Sequence, residues 1–342
     1  MIRITKSWLV ALVALALVGG AACDKGKGKD GSGGGAGGGV AGAAAVGDDL
    51  SLIPVDSEMV IGLNFGQLQQ SALWKQYSPK FMDKVSGKLA EFKTACGFDP
   101  ITSFKSITMG MKNLSDQPGA KPSGVFVARG LDKGKTLSCI DKYKAEAAKQ
   151  GNEITVDGAV ILVKEKNGDV TATMFVDDST LVAVVGPNAS EDAVKAAAKG
   201  GSTLKTSQTF VDMFSKINAG DSLWMVINGN SGLLDKAGAL GAKPKAVFGS
   251  INITDGLALD ARVRMGTPDE ANSLVTMAKG QIDNPQVKQM FDKLDVSGDG
   301  PDVHITVSMS SQKLQSLVAM VGGLMGGLMS GGMGGGDTPP SP

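Results

Sequence analysis

Three turn dipeptides, Asp157-Gly158, Asn167-Gly168 and Asp255-Gly256, limit what this chain can fold into more than any other feature. Both residues of such a pair accept the positive φ angles of a tight primed turn, and a turn that short can join only antiparallel neighbours. Short runs rich in Val, Ile, Thr and Met flank each pair. The pattern predicts strands at 153–156, 159–165, 169–176 and 180–185, forming an antiparallel meander.

The rest of the chain alternates strands with helices. A strand is expected at 58–65, a long helix from Gln67 to about Thr94, and strands at 104–111 and 124–129. Further on come a strand at 223–228, a short helix near 232–240, a hairpin of 247–254 with 257–265, and a helix over 268–282. Thr267 is the candidate N-cap of that helix, and Asp269 and Glu270 put acidic charge in its first turn. A last strand at 303–309 leads to a helix starting near Ser311. Four segments share one order of strand, small residue, capping residue and helix; they begin at Val127, Val184, Arg262 and Ile305. The stretches "DSEMVIGLNFGQL" and "DSLWMVINGNSGLL" also echo each other. Two readings stay open: an internal duplication with its seam at 189–219, or the chance echoes of any chain of this class. In both cases the fold class is α+β, mainly antiparallel sheet with packed helices and, on the first reading, two similar halves.

The amino-terminus has a different logic. Arg3 and Lys6 precede an apolar core from Trp8 to Val18, and small residues follow from Gly19 to Ala22. Eleven apolar residues are too few for an ordinary spanning helix of about 20, so residues 1–22 read as a secretion leader. Gly20-Ala21-Ala22-Cys23 resembles the lipobox of bacterial lipoproteins, where a thiol after small residues receives a diacylglyceryl group. Gly20 departs from the Leu, Val or Ile usual in that family. The alternative is cleavage by a general signal peptidase. The resemblance implies that Cys23 becomes the lipidated first residue and that the lipid bilayer is a partner. Asp24 resembles a signal for inner-membrane retention in enterobacterial lipoproteins; other bacteria sort differently, so periplasmic and outer-membrane surface positions both stay open.

Residues 24–49 hold eleven glycines, three lysines and no aromatic residue, too little apolar surface to offset backbone ordering. With Cys23 they form a tether, 23–49, with a root-mean-square reach of roughly 25 to 30 Å. Without the leader the chain carries 32 basic against 34 acidic residues, so there is no basic surplus to recruit nucleic acid. The folded span divides into a first half, 50–188, and a second half, 189–320, before a Gly- and Met-rich tail, 321–342. Met325, Met329 and Met333 recur there at helical spacing, a pattern that could hold Cu(I). The paired glycines oppose a helix, and a disordered tail is the preferred reading.

With Cys23 assigned to the anchor, Cys96 and Cys139 remain as an even pair in an exported protein. A disulfide between them is the leading expectation, and two separate buried thiols the alternative.

Catalytic groupings are scarce. The single histidine, His304, alternates with Val303, Ile305, Val307 and Met309 and so points away from their face. No nucleophile elbow, phosphate-binding loop or zinc or haem ligand set accompanies it, and no cofactor is expected. Asp295, Ser297, Asp299 and Gly300 imitate the start of a calcium loop. Thr306 stands where the bidentate glutamate belongs, so a plain turn is expected.

Together with "LIPVDSEMVIGLN" and "CGFDPITSFKSITMGMK", the leader, lipobox and spacer make the chain similar to uncharacterised myxobacterial cell-envelope lipoproteins, a likeness that implies no activity. The expectation is a membrane-anchored envelope lipoprotein presenting a non-enzymatic binding or structural domain, with an envelope protein as a further partner. One alternative is an envelope hydrolase using carboxylates such as Asp56, Asp177 and Asp178. The other is a small hydrophobic-ligand carrier, which needs an enclosed cavity lined by the meander strands.

Overall fold

A computed structural model describes residues 48–114, 121–234 and 243–316. Cys23, the expected leader, the expected tether up to Gly47 and the tail 321–342 lie outside the described residues, as does most of the short helix expected at 232–240.

Twelve strands form one sheet, and every pairing is antiparallel. The strands are β1 (Met59–Asn64), β2 (Ser106–Lys112), β3 (Ser123–Arg129), β4 (Glu153–Asp157), β5 (Val160–Lys164), β6 (Val170–Phe175), β7 (Thr180–Val185), β8 (Leu223–Asn228), β9 (Ala246–Ile253), β10 (Leu257–Arg264), β11 (Lys293–Asp299) and β12 (Asp302–Met309). Their order across the sheet is β11-β12-β10-β9-β8-β1-β2-β3-β7-β6-β5-β4. The first-half strands therefore occupy one side and the second-half strands the other, joined where β1 meets β8. At that seam the Trp224 indole lies flat over Gly62, where an added Cβ would fall 2.0 Å from its Nε1. Only glycine admits the ring there, and Phe214 meets Trp224 edge-on at 5.1 Å.

The described helices are α1 (Phe65–Gln70), α2 (Ala72–Cys96), α3 (Pro100–Ser103), α4 (Lys133–Lys149), α5 (Glu191–Lys199), α6 (Gln208–Ser215), α7 (Pro268–Ile282) and α8 (Pro285–Met290). The single helix expected from Gln67 is two, because the Ser71 hydroxyl accepts from Trp74 N and starts a new helix. Asp132, Ser190 and Thr267 cap α4, α5 and α7 in the same way.

The alternation of each strand sends one set of side chains to each face. On the back, Val60, Val127, Val182, Trp224 and Phe248 pack under the segment 50–53, α5 and α6. On the front, Ile107, Met109, Phe126, Ala128 and Ala183 meet Phe65, Phe104 and the start of α2. The expected plain turn before the last strand is corrected: residues 293–299 form edge strand β11, and the turn lies at Gly300-Pro301. Only Leu294 and Val296 of that strand face the front core. Its Lys, Asp, Ser and Gly residues suit an exposed sheet edge as well as they suit a turn.

Candidate functional site

The front faces of β3, β7 and β6 carry small side chains side by side. Ala183 pairs with Phe126 on one neighbour and Thr173 on the other, while Ala128 stands opposite Leu181. Small residues there keep the floor low. Above it, α4 does not descend onto β6 and β7; it leans on edge strand β4 and on α2, and Ile140 packs on Ile161 and Val163 of β5. The space between floor and helix is a partly open cavity of about 1030 Å³, at the upper end of the roughly 300–1,000 Å³ typical of ligand pockets.

The roof is cross-braced. The Sγ atoms of Cys96, the last residue of α2, and Cys139, in α4, are bonded, with their Cα atoms 4.6 Å apart. Lys142 Nζ donates to the Ala95 carbonyl at 2.8 Å, and Phe92 stacks on Tyr143 with ring centroids 6.2 Å apart. Burial and the nearby Glu91 carboxylate both push the Tyr143 phenol pKa up, burial the more strongly.

The two ends of the cavity differ. Phe98, Phe104, Leu131 and Ala128 line it where β3 ends, and all but Phe98 are buried. At the opposite end the lining is Glu91, Lys121, Glu146, Gln150, Asn152, Glu165 and Asp169, most of them exposed. The Thr136 hydroxyl, in the first turn of α4, also belongs to the lining; it is buried and without a hydrogen-bond partner.

The remaining sequence candidates lie elsewhere. Asp56 is exposed and pairs with Lys112 at 2.7 Å. Asp177 accepts from the backbone N–H groups of Ser179 and Thr180 and so closes the β6–β7 turn. Burial raises its pKa, but these bonds outweigh it and hold the carboxyl below its ordinary range. Asp178 is exposed in the same turn. Asp56 precedes the Met59 end of β1, whereas the Asp177 turn sits at the Asn64 end, about 20 Å away at strand rise. The three carboxylates are not brought together.

His304 is on the back face, its Nε2 3.0 Å from Asp260 Oδ1, which also accepts from Arg262 at 2.7 Å. Asp295, Ser297 and Asp299 belong to β11 and not to a loop. Among the described residues no group of three or more His, Cys, Asp or Glu could hold a metal ion, and no helix is long and apolar enough to cross a membrane.

Two other buried carboxylates support the sheet. Asp302, fully buried, accepts two bonds from Arg264 and one from Lys216 at 2.7–2.9 Å. Burial raises its pKa, but these cations outweigh it and hold it low. Asp49, also fully buried, pairs with Arg129 Nε at 2.5 Å and accepts from Thr108 at 2.9 Å. Its burial prevails over both partners and the pKa is raised.

The cavity lining was not singled out from sequence. The signal was present only as the expected meander strands and the cysteine pair; that α4 would stand off β6 and β7 has no local signature. Comparison with protein-family models, curated proteins and solved structures gives no match.

Proposed function

We propose that this chain is a lipid-anchored cell-envelope protein, tethered to a bilayer through Cys23, whose domain is non-enzymatic and holds an elongated apolar ligand beneath α2 and α4. The observation that carries the reading is the cavity, floored by the meander strands β6 and β7 and roofed by two cross-linked helices. The leader, the lipobox-like Gly20-Ala21-Ala22-Cys23 and the Gly-rich tether support the envelope location. A tether of that length lets the domain work clear of the lipid surface.

The test uses the full mature chain with Cys23→Ser, which needs no detergent that could fill the cavity. Titration with N-phenylnaphthylamine, a neutral apolar fluorophore, is expected to give saturable binding. Ala183→Trp, which fills the floor, is expected to abolish it, while Asp56→Asn leaves it unchanged. A folded protein that shows no saturable signal would refute the reading.

A further inference from the structure

The contrast between the two cavity ends says how a ligand would lie and which head group it would carry. Phe98, Phe104 and Leu131 close one end with apolar surface, whereas the other end opens among polar and charged side chains. An amphiphile satisfies both ends only with its chain inward and its head at the opening, because a buried head would lose its hydration without a partner. The charges at the opening come from four elements. Glu91 belongs to α2, Glu146 to α4, and Glu165 and Asp169 to the β5–β6 turn, while Lys121 lies just before β3.

Four carboxylates thus face one ammonium in the lining. Glu146 is paired with Lys149 at 3.1 Å; Glu91, Glu165 and Asp169 have no ion-pair partner among the described residues. Lys166, in the same turn, lays its side chain against Gly151 beside the opening, which lessens the negative excess without cancelling it.

Resting on the carrier reading, we infer that the ligand is a long-chain amphiphile with a neutral or cationic head, inserted chain first and selected against anionic heads by the Glu91, Glu165 and Asp169 carboxylates. An anionic head at the opening would sit within a Debye length of about 10 Å of several like charges, and like-charge repulsion is a means of rejecting ligands.

The test displaces N-phenylnaphthylamine from the mature Cys23→Ser chain at pH 8 with dodecanol, dodecyltrimethylammonium and laurate, each below its micelle concentration. Laurate is expected to bind at least tenfold more weakly than the other two. The triple variant Glu91→Gln, Glu165→Gln, Asp169→Asn is expected to remove most of that difference while still binding the fluorophore. Ala128→Trp, at the closed end, is expected to shift the preferred chain length downwards. Laurate binding as tightly as dodecanol, or a preference that survives the triple substitution, would overturn the head-group assignment and leave the carrier reading standing. Failure of the fluorophore itself to bind would instead overturn the carrier reading and this assignment with it.

Discussion

In the second half of the molecule α7 lies directly on β11 and β12, with Ala271 and Val275 packed against Val296 and Val303. In the first half α4, which likewise follows the strand ending in an arginine, leans on β4 and α2 and leaves the front of β6 and β7 open. Each half has three neighbouring antiparallel strands from the seam, a helix after the third, and then strands whose last member returns beside the third; the first half also carries α1, α2 and α3 between its first two strands. The second half inserts two strands after its helix and the first half inserts four. Both helices reach their own edge strand, β11 under α7 and β4 under α4, but β5, β6 and β7 stand between β4 and β3, where only β12 stands between β11 and β10. The wider side of the sheet leaves open space beside α4, whereas α7 is packed against its strands.

The third strands sharpen the comparison. Arg129 ends β3 opposite Thr180, and Arg264 ends β10 opposite Asp302. Where the second half meets its arginine with a carboxylate on the adjacent strand, the first half brings in Asp49 from outside the sheet. Position is shared, but the source of the counter-charge is not.

The largest expected effect is on the roof. Replacing Cys96 and Cys139 by serine releases a cross-link between residues 43 apart in sequence, which the chain-entropy account values at about 4 kcal/mol. Urea unfolding of the two forms measures it. A loss below about 1 kcal/mol would show that α4 holds its place without the bond.

Next in size is the contrast between the buried carboxylates. Asp302→Asn strips a fully buried anion from Arg264 and Lys216 and is expected to cost about 3 kcal/mol at neutral pH. Asp49→Asn is expected to stay within about 1 kcal/mol of the parent, because burial already disfavours the Asp49 charge. Their pH responses have opposite sign. The Asp302 contribution is complete above the unfolded carboxyl value of about 3.9 and is lost as pH falls through its lower folded value. The folded state holds the Asp49 proton more tightly than the unfolded chain does, so that group costs stability as pH rises from the unfolded value through the folded one. Stability measured against pH for both variants checks the signs, and matching profiles would erase the distinction between the two carboxylates.

Packing gives a third comparison. Val303→Ala under α7 removes tightly packed methyl groups and is expected to cost about 2 kcal/mol. Leu181→Ala, though the larger deletion, borders open space and is expected to cost only about 1 kcal/mol, since little new cavity wall is created. The reverse order would mean that the first half is the tighter of the two. Smallest is Thr136→Val, which exchanges an unpartnered buried hydroxyl for a methyl group and is expected to stabilise by up to about 1 kcal/mol, read as a rise in Tm.

Much of the local structure was legible. The Asp-Gly and Asn-Gly dipeptides marked the hairpins, although only Gly158 and Gly168 take positive φ there and none of the pairs forms a two-residue primed turn by itself. Thr267 announced its helix, and the alternation around His304 set its face correctly. Edge strand β11 was missed because polar residues suit a sheet edge and a turn alike. The helix break at Ser71 was missed because an apolar pattern runs through it.

What the sequence determined by itself is therefore what depends on neighbours in the chain: antiparallel hairpins, helix starts, and the α+β class with its alternating faces. Tertiary structure decided which distant strands meet, namely β1 with β8 and β3 with β7, and so that the strands of both halves join in one sheet. It also decided that α4 comes down on β4, and so where the cavity lies. Turn chemistry and side-chain period act over a few residues, whereas strand order is settled by burial summed across the whole sheet, to which no single stretch of sequence holds the key.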